Sequence, residues 1–476
     1  MISGLYLITD DNQDGQILAK VRAALSGGAR IVQYRAKQIR SDERRTLAGQ
    51  LRSLCHEQGA LLIINDLVEL ARDVDADGVH LGQGDTPVYQ ARQMLGSKKL
   101  IGLSTHSVEE ALKAEAQGAD YIGIGSIFPT ASKQDITLVG IKTLRMVRKA
   151  VRIPVVAIGG MTPDRAFEAI AAGANAIAVL SGIMADDNPA RAAKEYALLF
   201  NRQQPLPRGK VLTVAGSDSG GGAGIQADIK TITLLGSFAT SALTALTAQN
   251  TQGVHGVFNV DSGFVVEQIK AVLDDIGTDT VKTGMLNNAA IVRAVAGILE
   301  QRALLAVIDP VMIAKGGAPL LDPAAQDSLL SRLLPQAYLL TPNLPEVAAL
   351  TGREPRSIEE MIDAGRTLQM LGARNILIKG GHLHNDASDI LLIDEEEHLL
   401  SSARIDTPNT HGTGCTLSAA IATFLAQGYP LRRAVKQSKD FISIAIASAQ
   451  QTGRGQGPVN HFHAAMQLLH EKAPID

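Results

Sequence analysis

At 476 residues the chain is too long for one hydrophobic core, so two domains are the default expectation. It is 45% hydrophobic and 20% charged, with 45 glycines, 3% aromatic residues and no tryptophan, which suits Ala/Val/Ile/Leu-rich α/β packing and excludes a disordered chain. A net charge of −3 argues against nucleic-acid binding, and two cysteines exclude a disulfide framework and point to a reducing cytoplasm.

The first residues, MISGLYLITDDNQDG, lack the basic start and apolar stretch of a signal peptide. No run approaches the ~18 uncharged apolar residues of a membrane helix. The expectation is a cytoplasmic protein without membrane association. Short apolar, often β-branched runs then recur at 5–9, 30–34, 61–65, 78–81, 99–104, 120–125, 153–159 and 175–180. Ala-rich, charge-bearing stretches of helical period, such as SVEEALKAEAQG and PDRAFEAIAAGA, separate them. Eight evenly spaced strand–helix units in about 200 residues predict a (β/α)8 barrel rather than an open doubly wound sheet.

Barrel active sites lie at the C-terminal ends of the strands, and here those ends are polar. The second strand ends in Gln33, Arg35 and Lys37, which alternate and so share a face. The third ends in Asn65-Asp66, and Asp85 follows the fourth. Ser104 ends the fifth, FPTASK with Thr130, Ala131, Ser132 and Lys133 follows the sixth, Gly159-Gly160 the seventh and Leu180-Ser181 the eighth. Two carboxylates at neighbouring strand ends suit Mg²⁺, which shares its shell with substrate phosphates. Arg35 and Lys37 would take outer phosphate oxygens, and the glycines after the last strands suit a second phosphate. One diphosphate and one monophosphate substrate are expected. Asn65-Asp66 as a helix cap is the structural alternative.

In order, VQYRAK, IINDL, GVHLGQGD, GLSTH, GSIFPTASK and AIGGM resemble thiamine-phosphate synthase across residues 1–200. That resemblance implies joining of hydroxymethylpyrimidine diphosphate to thiazole phosphate with release of pyrophosphate, through a dissociative step and a pyrimidine carbocation. It assigns Gln33, Tyr34, Arg35, Ala36, Lys37, Asn65, Ser104 and Lys133 to the pyrimidine diphosphate, with Lys133 also catalytic. Asp66 and Asp85 would hold Mg²⁺. Thr130, Ala131, Ser132, Gly160, Leu180 and Ser181 would hold the thiazole phosphate.

NRQQPLPRG, residues 201–209, reads as a linker. A strand at 210–216 then runs through SDSGGGAG into a helix, and further strand-like runs TDTVKTGM, LLAVIDP, AYLLTPN and RNILIKGG alternate with helical patterning. The second domain, 210–476, is therefore an α/β unit with a mostly parallel sheet. GAGIQA matches G-x-G-x-x-A weakly, since no acidic residue lies between Asp228 and Asp261 to take a ribose, and there is no P-loop motif. SGGGAG is expected to form a lid-like loop over a small substrate beside Asp228. Gln249 offers an amide edge to a heterocycle. Asp309, Asn343 and Glu346 suit a Mg²⁺–water–triphosphate cluster, although Glu346 as a first-turn helix charge and Asp309 as a turn former are open alternatives. Lys379 ends a strand, and Thr410, Gly412, Thr413 and Gly414 precede an apolar helical run as an anion hole.

AGSDSGGGAGIQADIKT, AQNTQGV, KTGML, DPVM, TPNLPE, KGGH and NTHGTGCT resemble hydroxymethylpyrimidine and phosphomethylpyrimidine kinase, of ribokinase-like fold. The resemblance implies ATP and Mg²⁺, with Gly216, Asp228 and Gln249 on the pyrimidine, and allows a homodimer through this half. Cys415 stands where many ribokinase-like relatives carry a catalytic Asp. As a thiolate of depressed pKa at a helix start it is expected to act as base or to complete the anion hole. The kinase half would make the diphosphate that the barrel half consumes.

Overall fold

The computed structural model describes residues 2–10, 15–130, 137–312, 323–381 and 387–471. The chain divides into two compact units, Met1–Phe200 and Asn201–Asp476.

In the first unit β1 (Gly4–Ile8), β2 (Ile31–Tyr34), β3 (Leu61–Asn65), β4 (Gly78–Leu81), β5 (Leu100–Thr105), β6 (Tyr121–Ile124), β7 (Val155–Ile158) and β8 (Ala176–Val179) close into a parallel barrel in chain order. Both faces of each strand are covered, so the runs are almost continuously apolar. Alternate residues separate two cores. Tyr6, Ile8, Ile31, Ile63, Tyr121, Val156, Ala176 and Ala178 fill the interior. Leu5, Leu7, Val32, Leu62, Ile64, Val79 and Ile101 pack outward under the helices. Side-chain caps start several helices at the rim where the strands end: Ser107 accepts from the Glu110 N–H, Thr162 from Arg165 with Pro163 behind it, and Asn188 from Arg191.

The second unit is built on β9 (Lys210–Ala215), β10 (Phe238–Leu243), β13 (Thr280–Thr283), β14 (Leu305–Ile308), β15 (Ala337–Leu340), β16 (Asn375–Ile378), β17 (Asp389–Ile393) and β18 (Glu396–Leu400). They lie in the order β10-β9-β13-β14-β15-β16-β17-β18, parallel as far as β16 and antiparallel beyond. Between them in sequence, β11 (Ala245–Asn250) and β12 (Gly253–Asn259) form a separate antiparallel ribbon. The chain reverses direction across the sheet between β9 and β13, the place where open α/β sheets leave a crevice beyond their strand ends. Helix Thr413–Ala426 is buried from Thr416 onward, which explains its unbroken run of small and apolar residues. Residues 201–209 are bound into this unit: the Asn201 amide donates to the Ala426 carbonyl at 2.8 Å and the Arg208 N–H to that of Gly236 at 2.8 Å.

Candidate functional site

In the barrel, Gln33, Arg35, Asn65 and Ser104 line one cavity of about 480 Å³ together with Thr130, Gly160, Leu180 and Ser181. The two groups of residues assigned to different substrates therefore face a common mouth. Gly160 has φ +62°, and a Cβ there would overlap the Pro129 carbonyl oxygen, so the backbone can turn this closely only as glycine. Arg165, which the sequence reading missed, also lines the mouth. Its Nη1 donates to the Gly160 carbonyl at 2.9 Å and its guanidinium lies 5.3 Å from the Phe128 ring centre.

Tyr34 and Ala36 are corrections as side-chain ligands. They alternate with Gln33 and Arg35, and their side chains pack in the outer core. Both instead border a hollow of about 330 Å³ shared with Lys37, Asn65 and Asp66. Lys37 Nζ lies 3.9 Å from Asp66 Oδ2. Asp66 has a left-handed φ of +63°, and Asp85 accepts the Gly82 N–H at 2.6 Å. Burial, followed by the facing Asp85 carboxylate, raises the pKa of Asp66, with Lys37 offsetting part of the rise. Two facing carboxylates in this state suit a divalent cation. Ala131, Ser132 and Lys133 lie outside the described residues.

The barrel interior also holds a polar chain that was not anticipated. Gln33 Nε2 donates to the Tyr6 hydroxyl at 2.9 Å, and the Tyr6 and Tyr121 hydroxyls are 3.0 Å apart. His80 Nδ1 lies 3.2 Å from the Tyr121 hydroxyl and His80 Nε2 lies 3.0 Å from Ser104 Oγ. An inward polar residue in GVHL was the available sequence signal.

In the second unit charged residues from several strand ends come together. Asp309 follows β14 and Lys379 follows β16, with Lys379 Nζ 3.0 Å from Asp309 Oδ1 and 3.9 Å from Glu346 Oε2. Asn343 and Glu346 form a capping box at the start of helix Leu344–Thr351: Glu346 N–H donates to Asn343 Oδ1 at 2.9 Å and Asn343 N–H to Glu346 Oε2 at 2.8 Å. The first-turn alternative is thus realised, and capping engages groups that had been expected to face a triphosphate. Burial, with Asp309 nearby and Lys379 opposing, pushes Glu346 up to about 7.

The start of helix Thr413–Ala426 meets this cluster, with Gly414 beside Lys379 and Asp309. Gly412 has φ +79°, and a Cβ on it would overlap the Gly222 carbonyl oxygen. The first turn of an α-helix leaves N–H groups without intrahelical acceptors, and no side chain caps this one. Thr413 Oγ1 instead donates to the Thr410 carbonyl at 2.7 Å.

Three expectations change here. Asp228 is 0% exposed, and its carboxylate is held by Lys282 Nζ at 2.9 and 3.0 Å and by Thr213 Oγ1 at 2.6 Å, so it is closed to a pyrimidine. The SGGGAG loop, expected to cover a substrate beside Asp228, is organised by Asp218. Asp218 gathers it by accepting the N–H groups of Gly220, Gly222 and Ala223 at 2.8, 3.1 and 2.8 Å, while His411 Nε2 lies 2.9 Å away. Although burial opposes it, the bonds from His411 and from the Ala223 and Gly220 N–H groups hold the Asp218 pKa low. The depressed pKa expected of Cys415 is not what its surroundings favour. Burial pushes it up to about 11, the carboxylates of Asp228 and Asp309 add to this, and Lys282 and the Gly224 N–H offset only part. Gln249 does reach the crevice, its Nε2 3.4 Å from His411 Nε2, and Gly216 lies against Met285.

Comparison with known proteins gives two family matches, thiamine monophosphate synthase over residues 5–183 and phosphomethylpyrimidine kinase over residues 218–460. The thiamine biosynthesis bifunctional protein ThiED of Geobacter sulfurreducens is 53% identical over 98% of this chain and 95% of its own length. The hydroxymethylpyrimidine/phosphomethylpyrimidine kinase of Escherichia coli is 47% identical over 54% of this chain and 99% of its own. Among solved structures, an ADP complex of Bacillus subtilis pyridoxal kinase is 38% identical, with TM-score 0.50 over 55% of this chain and 99% of that one. The chain belongs to the bifunctional thiamine-biosynthesis proteins, enzymes that carry a thiamine-phosphate synthase barrel and a ribokinase-like hydroxymethylpyrimidine/phosphomethylpyrimidine kinase on one polypeptide.

Proposed function

We propose that the barrel cavity seats both coupling substrates, the pyrimidine diphosphate against Gln33, Arg35, Asn65 and Ser104, with Lys37 reaching it from the neighbouring hollow beside Asp66, and the thiazole phosphate against Thr130, Gly160, Leu180 and Ser181. The observation that carries this reading is that one mouth exposes residues of both sets. Lys133 with Ala131 and Ser132 completes the set by resemblance.

Asp66 and Asp85 would hold Mg²⁺. When bound, the ion supplies charge neutralisation to the departing pyrophosphate. Arg35 and Lys37 share that task, and Gln33 and Asn65 orient the ring.

In the kinase half, Lys379 and the N–H groups at Gly412, Thr413 and Gly414 would receive ATP phosphates, with Thr410 shaping the turn and Asp309 positioning Lys379 and Mg²⁺. Gly216 and Gln249 would face the pyrimidine. Cys415 contributes its backbone N–H rather than a base. The pyridoxal kinase likeness supports a second substrate reading, pyridoxal, tested by a substrate panel. A homodimer through this half accords with Leu246, Val257 and Phe258 standing exposed on the β11–β12 ribbon, and sedimentation measures it. No helix among the described residues is long and apolar enough to cross a membrane.

The test is incubation of the full chain with hydroxymethylpyrimidine, ATP, Mg²⁺ and thiazole phosphate. Thiamine phosphate should appear, and omission of ATP should abolish it unless pyrimidine diphosphate is supplied. Formation without either would refute the scheme.

A further inference from the structure

The five-residue chain Gln33–Tyr6–Tyr121–His80–Ser104 crosses the inside of the barrel and ends on the mouth at both sides, since Gln33 and Ser104 line the cavity. Hydrogen bonds in series carry a direction, because each hydroxyl has one proton to give. Gln33 Nε2 donates to the Tyr6 oxygen, and of the two directions open to the Tyr6–Tyr121 pair, donation by Tyr6 is the one that continues this series. In that direction Tyr121 gives its own proton to His80 Nδ1. A ring nitrogen that accepts cannot carry hydrogen, which puts the His80 proton on Nε2, facing Ser104 Oγ. The Ser104 oxygen accepts it, and the serine proton is left for a ligand.

The barrel is shaped around this chain. Strand pairing sets His80 beside Gly102, and Gly102 beside Tyr121. A Cβ on Gly102 would overlap the Tyr121 ring and come within 2.6 Å of His80 Nδ1, while one on Gly123 would lie 3.0 Å from His80 Cε1. Two inward glycines thus make room for two rings in contact, 5.5 Å between centres. Burial raises the pKa of both tyrosines, so each phenol keeps the proton the chain requires.

We propose that Tyr6, Tyr121 and His80 are positioning residues that polarise the barrel mouth, fixing Ser104 as a hydrogen-bond donor to an oxygen of the bound diphosphate and leaving Gln33 Oε1 as an acceptor for an amine on the heterocycle. This rests on the reading of Ser104 as a diphosphate contact. It adds that the serine's role is imposed from across the barrel, through the buried Tyr121 and through Tyr6 and His80, which also line the cavity.

Two measurements on the full chain test it. With ¹⁵N-labelled histidine, long-range ¹H–¹⁵N correlation at pH 7.5 reports the His80 tautomer, its signals assigned by their loss in His80→Gln. The Nε2–H tautomer is expected, and Nδ1–H would reverse every bond in the series and overturn the relay. In the second, Tyr121→Phe should lower coupling kcat/KM for the pyrimidine diphosphate roughly tenfold with the kinase rate unchanged, and cost nothing further in a Ser104→Ala background. Equal losses in both backgrounds would overturn action through Ser104. Ser104→Ala with undiminished coupling would instead refute the substrate reading, whichever tautomer is found.

Discussion

Lys379 Nζ sits 3.0 Å from Asp309 Oδ1, and Gly414 lies beside the pair, a Cβ there falling in ordinary contact at 3.4 Å from the amine and 3.5 Å from Asp309 Oδ2. The ammonium is held by Asp309 and Glu346 at the point where a helix start offers N–H groups. Lys379→Met should therefore reduce kinase kcat/KM for ATP by roughly a hundredfold or more, the scale of losing a preorganised charge on a transferring group. Coupling from supplied pyrimidine diphosphate should be unaffected. Steady-state kinetics of the two half-reactions on one preparation measure both.

Cys415 is expected to be chemically quiet. With its thiol pushed up to about 11, it should react with iodoacetamide at pH 8 roughly a hundredfold more slowly than an ordinary exposed thiol. Cys415→Ala should keep kinase kcat within about tenfold of wild type, because the backbone N–H remains. A collapse of several orders of magnitude would restore the general-base reading.

Gly412 has no alternative residue. Its φ of +79° and its contact with the Gly222 carbonyl mean that Gly412→Ala must displace either the helix start or the Asp218-bound loop. A loss on the order of 1–3 kcal/mol in unfolding free energy of the kinase unit is expected, together with loss of kinase turnover. Chemical denaturation and the kinase assay check these.

His461 gives the kinase unit an acid sensitivity. It is buried, its Nε2 lies 2.9 Å from Thr416 Oγ1, and burial followed by the charge of Lys230 lowers its pKa to about 4. The unfolded chain binds a proton near pH 6.5 while the folded one does not, so the contribution is complete above 6.5 and declines as pH falls towards 4. The total is on the order of 3 kcal/mol. Wild type should therefore lose more melting temperature than His461→Gln between pH 7 and 4.5.

The barrel was legible because eight apolar runs at even spacing admit few other closures, and the period of two put Gln33 and Arg35 on its inner face. The same period should have removed Tyr34 and Ala36, which came in with a contiguous motif. Asp228 could not be read from sequence: its burial depends on Lys282, 54 residues on, meeting it beneath the sheet. For Cys415, the helix-start argument lost to burial and two nearby carboxylates, both tertiary effects. β18 went unread because an exposed, charge-rich strand, Glu396–Leu400, carries little hydrophobic alternation.

The most direct measurement is product analysis of Asp66→Ala supplied with hydroxymethylpyrimidine, ATP, Mg²⁺ and thiazole phosphate. Two separate sites acting in sequence require that the variant accumulate pyrimidine diphosphate at the wild-type rate and form no thiamine phosphate. A folded variant that makes neither product, or that still makes thiamine phosphate at the wild-type rate, would contradict the account.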